Sequence, residues 1–159
     1  MNNPNRSNPA GGVASGAGSG LHFLMYVSSA RRKFGPAEIA ELLAIAREKN
    51  SRIGITGMLL YKAGLFLQVL EGDSERVRDL YTKIASDNRH RACSVVMEGS
   101  IPERRFRDWS MAFRNLDDPG LASHPGFSDF MNTPRTALNS LPSDPANYWS
   151  TLDFYRRQL

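Results

Sequence analysis

A single cysteine, Cys93, in 159 residues excludes a disulfide framework within the chain and leaves a cysteine-based zinc site short of ligands. A reducing compartment, the cytoplasm, is the expectation that follows. Cys93 stands in the apolar run 93–97 and reads as a core thiol rather than a nucleophile. The three histidines, His22, His90 and His124, show no metal-ligand spacing, so no metal is expected. No apolar run reaches the roughly 18 residues a membrane span needs. The first residues carry one arginine and no apolar stretch of a signal peptide. The excess of basic over acidic residues is small: the formal net charge is +4, which permits an acidic or phosphate-bearing partner without demanding nucleic acid. The basic residues fall in short clusters (Arg31 to Lys33, Arg104 to Arg107, Arg156 and Arg157) that read as solvated surface. Residues 1–20 hold five glycines, four asparagines and no aromatic residue, too little apolar surface to offset ordering, so a flexible leader is expected there.

Against these absences stands a 41% hydrophobic fraction with clear periodicity. Residues 21–28 alternate as a strand, with His22, Leu24, Tyr26 and Ser28 on one face. A helix is predicted over 36–49, opened by Pro36, with Ile39, Leu42, Leu43 and Ala46 as one stripe. Strands over 53–61 and 65–71 flank a tight hairpin at Lys62, Ala63 and Gly64. A second helix follows, capped by Asp73 or Ser74, with Val77, Leu80, Tyr81 and Ile84 as its stripe. Strands over 92–99 and 109–114 complete the order, the last with Trp109, Met111 and Phe113 on one face. The class is α+β: a ferredoxin-like β-α-β-β-α-β sandwich with an added fifth strand. The strand over 65–71 is apolar on both faces, so the outer sheet face needs cover. The tail, 117–159, is the candidate. Four prolines break it, and its last piece reads as a helix with Asp144 as N-cap, Pro145 at N1 and Tyr148, Trp149, Leu152 and Tyr155 on one side. C-terminal helices packed on the outer face are therefore expected.

One residue conflicts with its surroundings. Gln68 sits amid Leu65, Phe66, Leu67, Val69 and Leu70, where an unpaired amide would cost about 2–7 kcal/mol. In this fold the first and third strands are central neighbours, which brings Tyr26 beside Gln68, on the helix-covered face if the register holds. Taken singly, Gln68 fits a buried amide bonded to backbone, Tyr26 a core aromatic, and Asn50 the end of the first helix.

Together the segments "LHFLMYVSSA", "KNSRIGITGMLLYKAGLFLQVLEG", "DNRHRACSVVMEGSIPERRF" and "DWSMAF" resemble the BLUF domain, a blue-light sensor that uses flavin, over residues 21–116. The resemblance implies an FAD whose ring lies between the two helices. Tyr26 resembles the family's electron and proton donor, and Gln68 its switching amide. Asn50 resembles the asparagine on the flavin's polar edge, and Leu42 and Ile84 the apolar residues that sandwich the ring. Asp87 and His90 resemble side chains near the sugar-phosphate end, with Lys49 and Lys83 as further cofactor contacts. Trp109 and Met111 resemble the strand-five residues that compete for the space beside the glutamine and relay the signal.

Three domain pieces follow: a leader, 1–20; a photosensor, 21–116; and a C-terminal extension, 117–159. About 40 residues are too few for a cyclase, phosphodiesterase or DNA-binding output domain. A short, stand-alone bacterial sensor without enzyme activity is expected, working through a homo-oligomer and a separate protein partner. Two other classes compete. A small ferredoxin-like acylphosphatase-type hydrolase would use Arg52 and Asn50, but no nucleophile–base pair accompanies them. A nucleic-acid-binding module is compatible with a pI near 9.5, but the aromatic platform of an RNA-recognition module is missing.

Overall fold

The computed structural model describes residues 20–107 and 110–115. Its elements are β1 (Leu21–Ala30), α1 (Pro36–Arg52), β2 (Thr56–Lys62), β3 (Leu65–Asp73), α2 (Ser74–Ala85), β4 (His90–Ser100) and β5 (Ala112–Asn115). The sheet order is β4-β1-β3-β2-β5. The first four strands pair antiparallel, and β5 runs parallel to β2. This is the expected ferredoxin-like α+β fold with an added strand. Among the described residues no helix is long and apolar enough to cross a membrane.

The two faces of the sheet divide as the alternation of β1 requires. Leu24 and Tyr26 join Leu59, Phe66 and Leu70 in a core beneath α1 and α2, which contribute Ile39, Leu43 and Val77. Phe23, Met25, Met58, Leu60, Leu67 and Val69 form a second cluster on the opposite face, joined by Phe106 from the β4–β5 connection. The leader 1–19, Trp109 and the tail from residue 116 onward, with its expected covering helices, lie outside the described residues.

Several boundaries differ from the sequence expectation, each for a local reason. Helix α1 continues to Arg52 rather than stopping at Lys49. Its terminator is Gly54, at φ +66°. There Gly54 N–H donates to Ser51 O and Ile55 N–H to Asn50 O, the paired bonds of a Schellman cap. The cap takes up residues 53–55, so β2 begins at Thr56. Asn50 is therefore a buried residue of the last helical turn, not the residue that ends the helix. Strand β4 starts two residues early, at His90, and β5 starts at Ala112, so Met111 precedes the strand. Cys93 is half-buried instead of fully enclosed, because β4 is an edge strand; burial still pushes its thiol pKa up. Helix α2 is capped by Asp73, whose carboxylate accepts from Glu75 N–H and Arg76 N–H at 3.1 and 3.2 Å.

The β2–β3 hairpin turns on two residues, Ala63 at φ 49° and Gly64 at φ 85°. Positive φ at both central positions defines the turn that matches strand twist, and its first position favours Asn over Ala. The Ala63→Asn variant is expected to gain about 0.5–1 kcal/mol, read as a higher urea midpoint at unchanged slope.

Candidate functional site

Strand pairing sets Tyr26 directly opposite Gln68, and Gln68 directly opposite Leu59. All three face the helices. The Tyr26 hydroxyl donates to Gln68 Oε1. The amide nitrogen at the other end, Nε2, points to Met111 Sδ at 3.3 Å. Both ends of the buried amide are thus engaged, one by a hydroxyl and one by a soft, weak acceptor. Tyr26 is fully buried. Burial, and then the proximity of Cys93, Tyr81 and Asp87, holds its phenol pKa well above the ordinary value. The hydroxyl therefore keeps its proton at any physiological pH. The Tyr81 ring on α2 packs against the Tyr26 ring at 5.2 Å between centroids, tilted by 58°.

Above this floor the two helices stand apart and leave a slot that opens to solvent. Leu42, Ile45 and Ala46 of α1 form one wall, and Leu80 and Ile84 of α2 the other. Leu59, Phe66, Gln68 and Tyr26 form the floor. At the inner end lies Asn50, whose Nδ2 donates to the carbonyl of Ser110 at 2.9 Å. An amide carries two N–H donors and one acceptor oxygen, so one bond to Ser110 leaves a donor and an acceptor for a ligand. One helical turn back, Arg47 Nε donates to the carbonyl of Met111 at 3.0 Å. Burial lowers the Arg47 pKa.

The charged residues of the slot carry a positive balance: exposed Lys49, Lys83 and Arg89 against half-buried Asp87. Arg89 forks onto Asp87, Nη2 to Oδ2 at 2.6 Å and Nε to Oδ1 at 3.0 Å. That pairing holds the Asp87 carboxyl down at about 2. His90 is half-buried at the start of β4. Its Nδ1 shares a hydrogen bond with Ser28 Oγ at 2.9 Å, and its ring lies 5.0 Å from that of Phe66.

Burial lowers the His90 pKa below the ordinary imidazole value. A folded pKa below the unfolded one means that the unfolded chain binds more protons between the two values. Stability supplied by neutral His90 is therefore complete above about pH 6.5 and is lost as pH falls from there through the folded pKa. Urea midpoints are expected to fall between pH 7.5 and pH 5 by more in the unaltered chain than in His90→Gln. Equal falls would show that another group carries the pH dependence.

Every predicted cofactor contact (Leu42, Lys49, Asn50, Gln68, Lys83, Ile84, Asp87 and His90) lines this one slot together with Tyr26. Met111 is buried beside Gln68. The sequence does not mark out Arg47 or Arg89, although Arg47 stands three residues before Asn50, on the same helix face, and Arg89 is in the same "DNRH" run as Asp87 and His90. The hydrolase pairing does not assemble: Asn50 faces the slot, whereas Arg52 is exposed and paired with Glu48 at 2.5 Å.

The protein is similar to light-responsive proteins over most of the described chain. It is 31% identical over 134 residues to the photoactivated adenylate cyclase subunit beta of Euglena gracilis, a match of 83% of this chain and 15% of that protein. It is 35% identical over 96 residues to the blue light- and temperature-regulated antirepressor BluF of Escherichia coli K12, covering 60% of this chain and 24% of that one. The dark-state structure of BlrB, a BLUF protein, superposes with a TM-score of 0.60 at 32% identity over 77% of this chain and 98% of BlrB. The chain thus spans a small part of its longer relatives and nearly the whole of BlrB. The family model for BLUF, described as sensors of blue-light using FAD, matches residues 21–112. The chain belongs to the BLUF family.

Proposed function

We propose that the chain is a blue-light photoreceptor that binds FAD in the slot between α1 and α2, with Tyr26 and Gln68 as its switch. The observation that carries this reading is the hydrogen-bonded line Tyr26–Gln68–Met111 on the slot floor. The slot suits a flavin in three respects. Its walls are apolar, with Leu42 on one helix and Ile84 on the other, which suits a flat apolar ring. The unused donor and acceptor of Asn50 match a ring edge that offers both. The cations Lys49, Lys83 and Arg89 near the opening suit a pyrophosphate.

Bound flavin supplies the absorption of blue light and an excited ring that accepts an electron. The chain supplies the rest. Tyr26, neutral at rest, is the electron and proton donor, and its proton has one route, through Gln68 Oε1. Gln68 is the two-state element. Turning its amide over would place Nε2 against the Tyr26 oxygen, which must then accept. It would also place Oε1 against Met111 Sδ, where two lone-pair atoms repel. The turned state therefore releases Met111 and, with it, the approach to β5. Strand five is the exit for the signal, with Trp109 as a second relay residue. From there the signal would pass to the extension 117–159 and to a partner protein or a second copy. The sensor unit would be residues 21–116, working in the cytoplasm without an enzyme activity of its own. Output through a cyclase belongs, by its name, to the Euglena relative.

Titration of FAD into flavin-free protein, followed by flavin fluorescence polarisation at rising salt, tests the binding step. Saturable binding that weakens with salt and falls about tenfold or more in Asn50→Ala is expected, since hydrogen bonds to buried groups are worth about 1–2 kcal/mol and exposed charges are screened. No uptake of FAD overturns the reading.

A further inference from the structure

The approach to β5 is gripped from α1 at two consecutive peptide carbonyls. Asn50 Nδ2 holds Ser110 O at 2.9 Å and Arg47 Nε holds Met111 O at 3.0 Å. Gln68 reaches the same segment through the Met111 side chain. The Nε–H and the neighbouring amino group of an arginine lie on one edge of a planar guanidinium and form a fork. One tine of the Arg47 fork is filled by Met111. The other, Nη2, is buried and has no hydrogen-bond partner, the sole such side-chain atom among the described residues. A buried donor left unpaired carries its desolvation penalty without return. An arrangement that brought it a carbonyl would be favoured over one that did not.

We propose that Arg47 is a positioning residue with two settings: its half-filled fork fixes the entry to β5 in the resting protein and takes a second peptide carbonyl when residues 110 and 111 shift. The resting grip stands on the geometry alone. The second setting rests on the light-driven release of Met111 proposed above. Because Arg47 binds main chain, it acts on β5 whatever side chain occupies position 111. It also makes the shifted strand a defined state, not a loose one. A lysine can make the single bond but cannot fork. A methionine keeps the aliphatic stem and makes neither bond.

Amide hydrogen exchange across residues 110–115 of the full FAD-loaded chain, in darkness and under continuous blue light, tests both settings. In darkness Arg47→Met is expected to exchange about tenfold faster than the unaltered chain, whereas Arg47→Lys stays within about threefold. Under light Arg47→Lys is expected to keep the spectral shift while β5 exchange rises well beyond that of the illuminated unaltered chain. Dark exchange unchanged in Arg47→Met overturns the grip. An illuminated Arg47→Lys indistinguishable from the unaltered chain overturns the second setting. If Arg47→Met does not fold, the dark and lit exchange of Arg47→Lys decides, since loss of its resting protection would itself contradict the single-bond grip. If the unaltered chain shows no spectral change, the photoreceptor reading fails, and the dark comparison still decides the grip.

Discussion

Gln68→Leu is expected to abolish the light-induced spectral shift while leaving FAD bound. Leucine fills nearly the same space on the slot floor but offers neither donor nor acceptor. The Tyr26 hydroxyl loses the acceptor it now uses, and Met111 loses its contact with the amide. The cofactor contacts proposed at Asn50, Leu42, Ile84 and Lys83 remain. Leaving one buried hydroxyl without its acceptor costs about 1–3 kcal/mol, so a lower melting temperature should accompany an intact fold. Tyr26→Phe removes the other half of the pair and should also abolish the shift. It leaves Gln68 Oε1 without its donor and keeps the ring packed against Tyr81. Dark spectra of both variants should show bound flavin. A Gln68→Leu variant that still shifted reversibly would mean that the amide is not the switch.

The largest expected loss of stability comes from the opposite side of the sheet. Glu71 is wholly buried three residues beyond Gln68, on the outer face. Its carboxylate accepts the backbone N–H groups of Arg105, at 2.9 Å, and Phe106, at 3.0 Å. Arg104 binds alongside, donating to Thr56 Oγ1 and to the main-chain carbonyls of Glu71 and Gly54 at 2.9, 2.8 and 2.6 Å. Together these bonds pin the β4–β5 connection over the ends of β2 and β3 and seat Phe106 in the outer core. Glu71→Ala strands both N–H groups and opens a void beneath Phe106. At about 1–3 kcal/mol for each orphaned buried donor, the loss should be about 3–5 kcal/mol. That is a large part of the 5–15 kcal/mol that holds a typical domain folded. Glu71→Gln keeps an acceptor oxygen and should lose roughly half as much. Urea denaturation gives both values. A loss below about 1 kcal/mol in Glu71→Ala would mean that water or a shifted backbone satisfies the two donors.

Glu71 also illustrates what the sequence conceals. In "VLEGD" it reads as the polar end of a strand. Its burial depends on residues 104–106 folding back from more than thirty positions away, and no periodicity encodes that. Arg47 is concealed in the same way: on a helix rich in charge it resembles any solvated arginine, and its bond to the Met111 carbonyl appears only once the fold brings that residue beside it. Tyr26 and Gln68 are legible because the alternation of β1 and β3 fixes their faces, and the fold makes those strands neighbours. The helical stripes are legible for the same reason of period: Ile39, Leu43 and Val77 are all buried as their spacing requires. The boundary errors arise where a backbone device outweighs side-chain pattern. The Schellman cap at Gly54 extends α1 through a polar Asn-Ser-Arg run that reads as a stop.

The most direct test of the account is an absorption spectrum of the purified chain, loaded with FAD, before and after blue light. The account predicts flavin bands that move slightly to the red and return in darkness. A chain that stays colourless in the presence of FAD, or a bound flavin whose bands do not move, would contradict it.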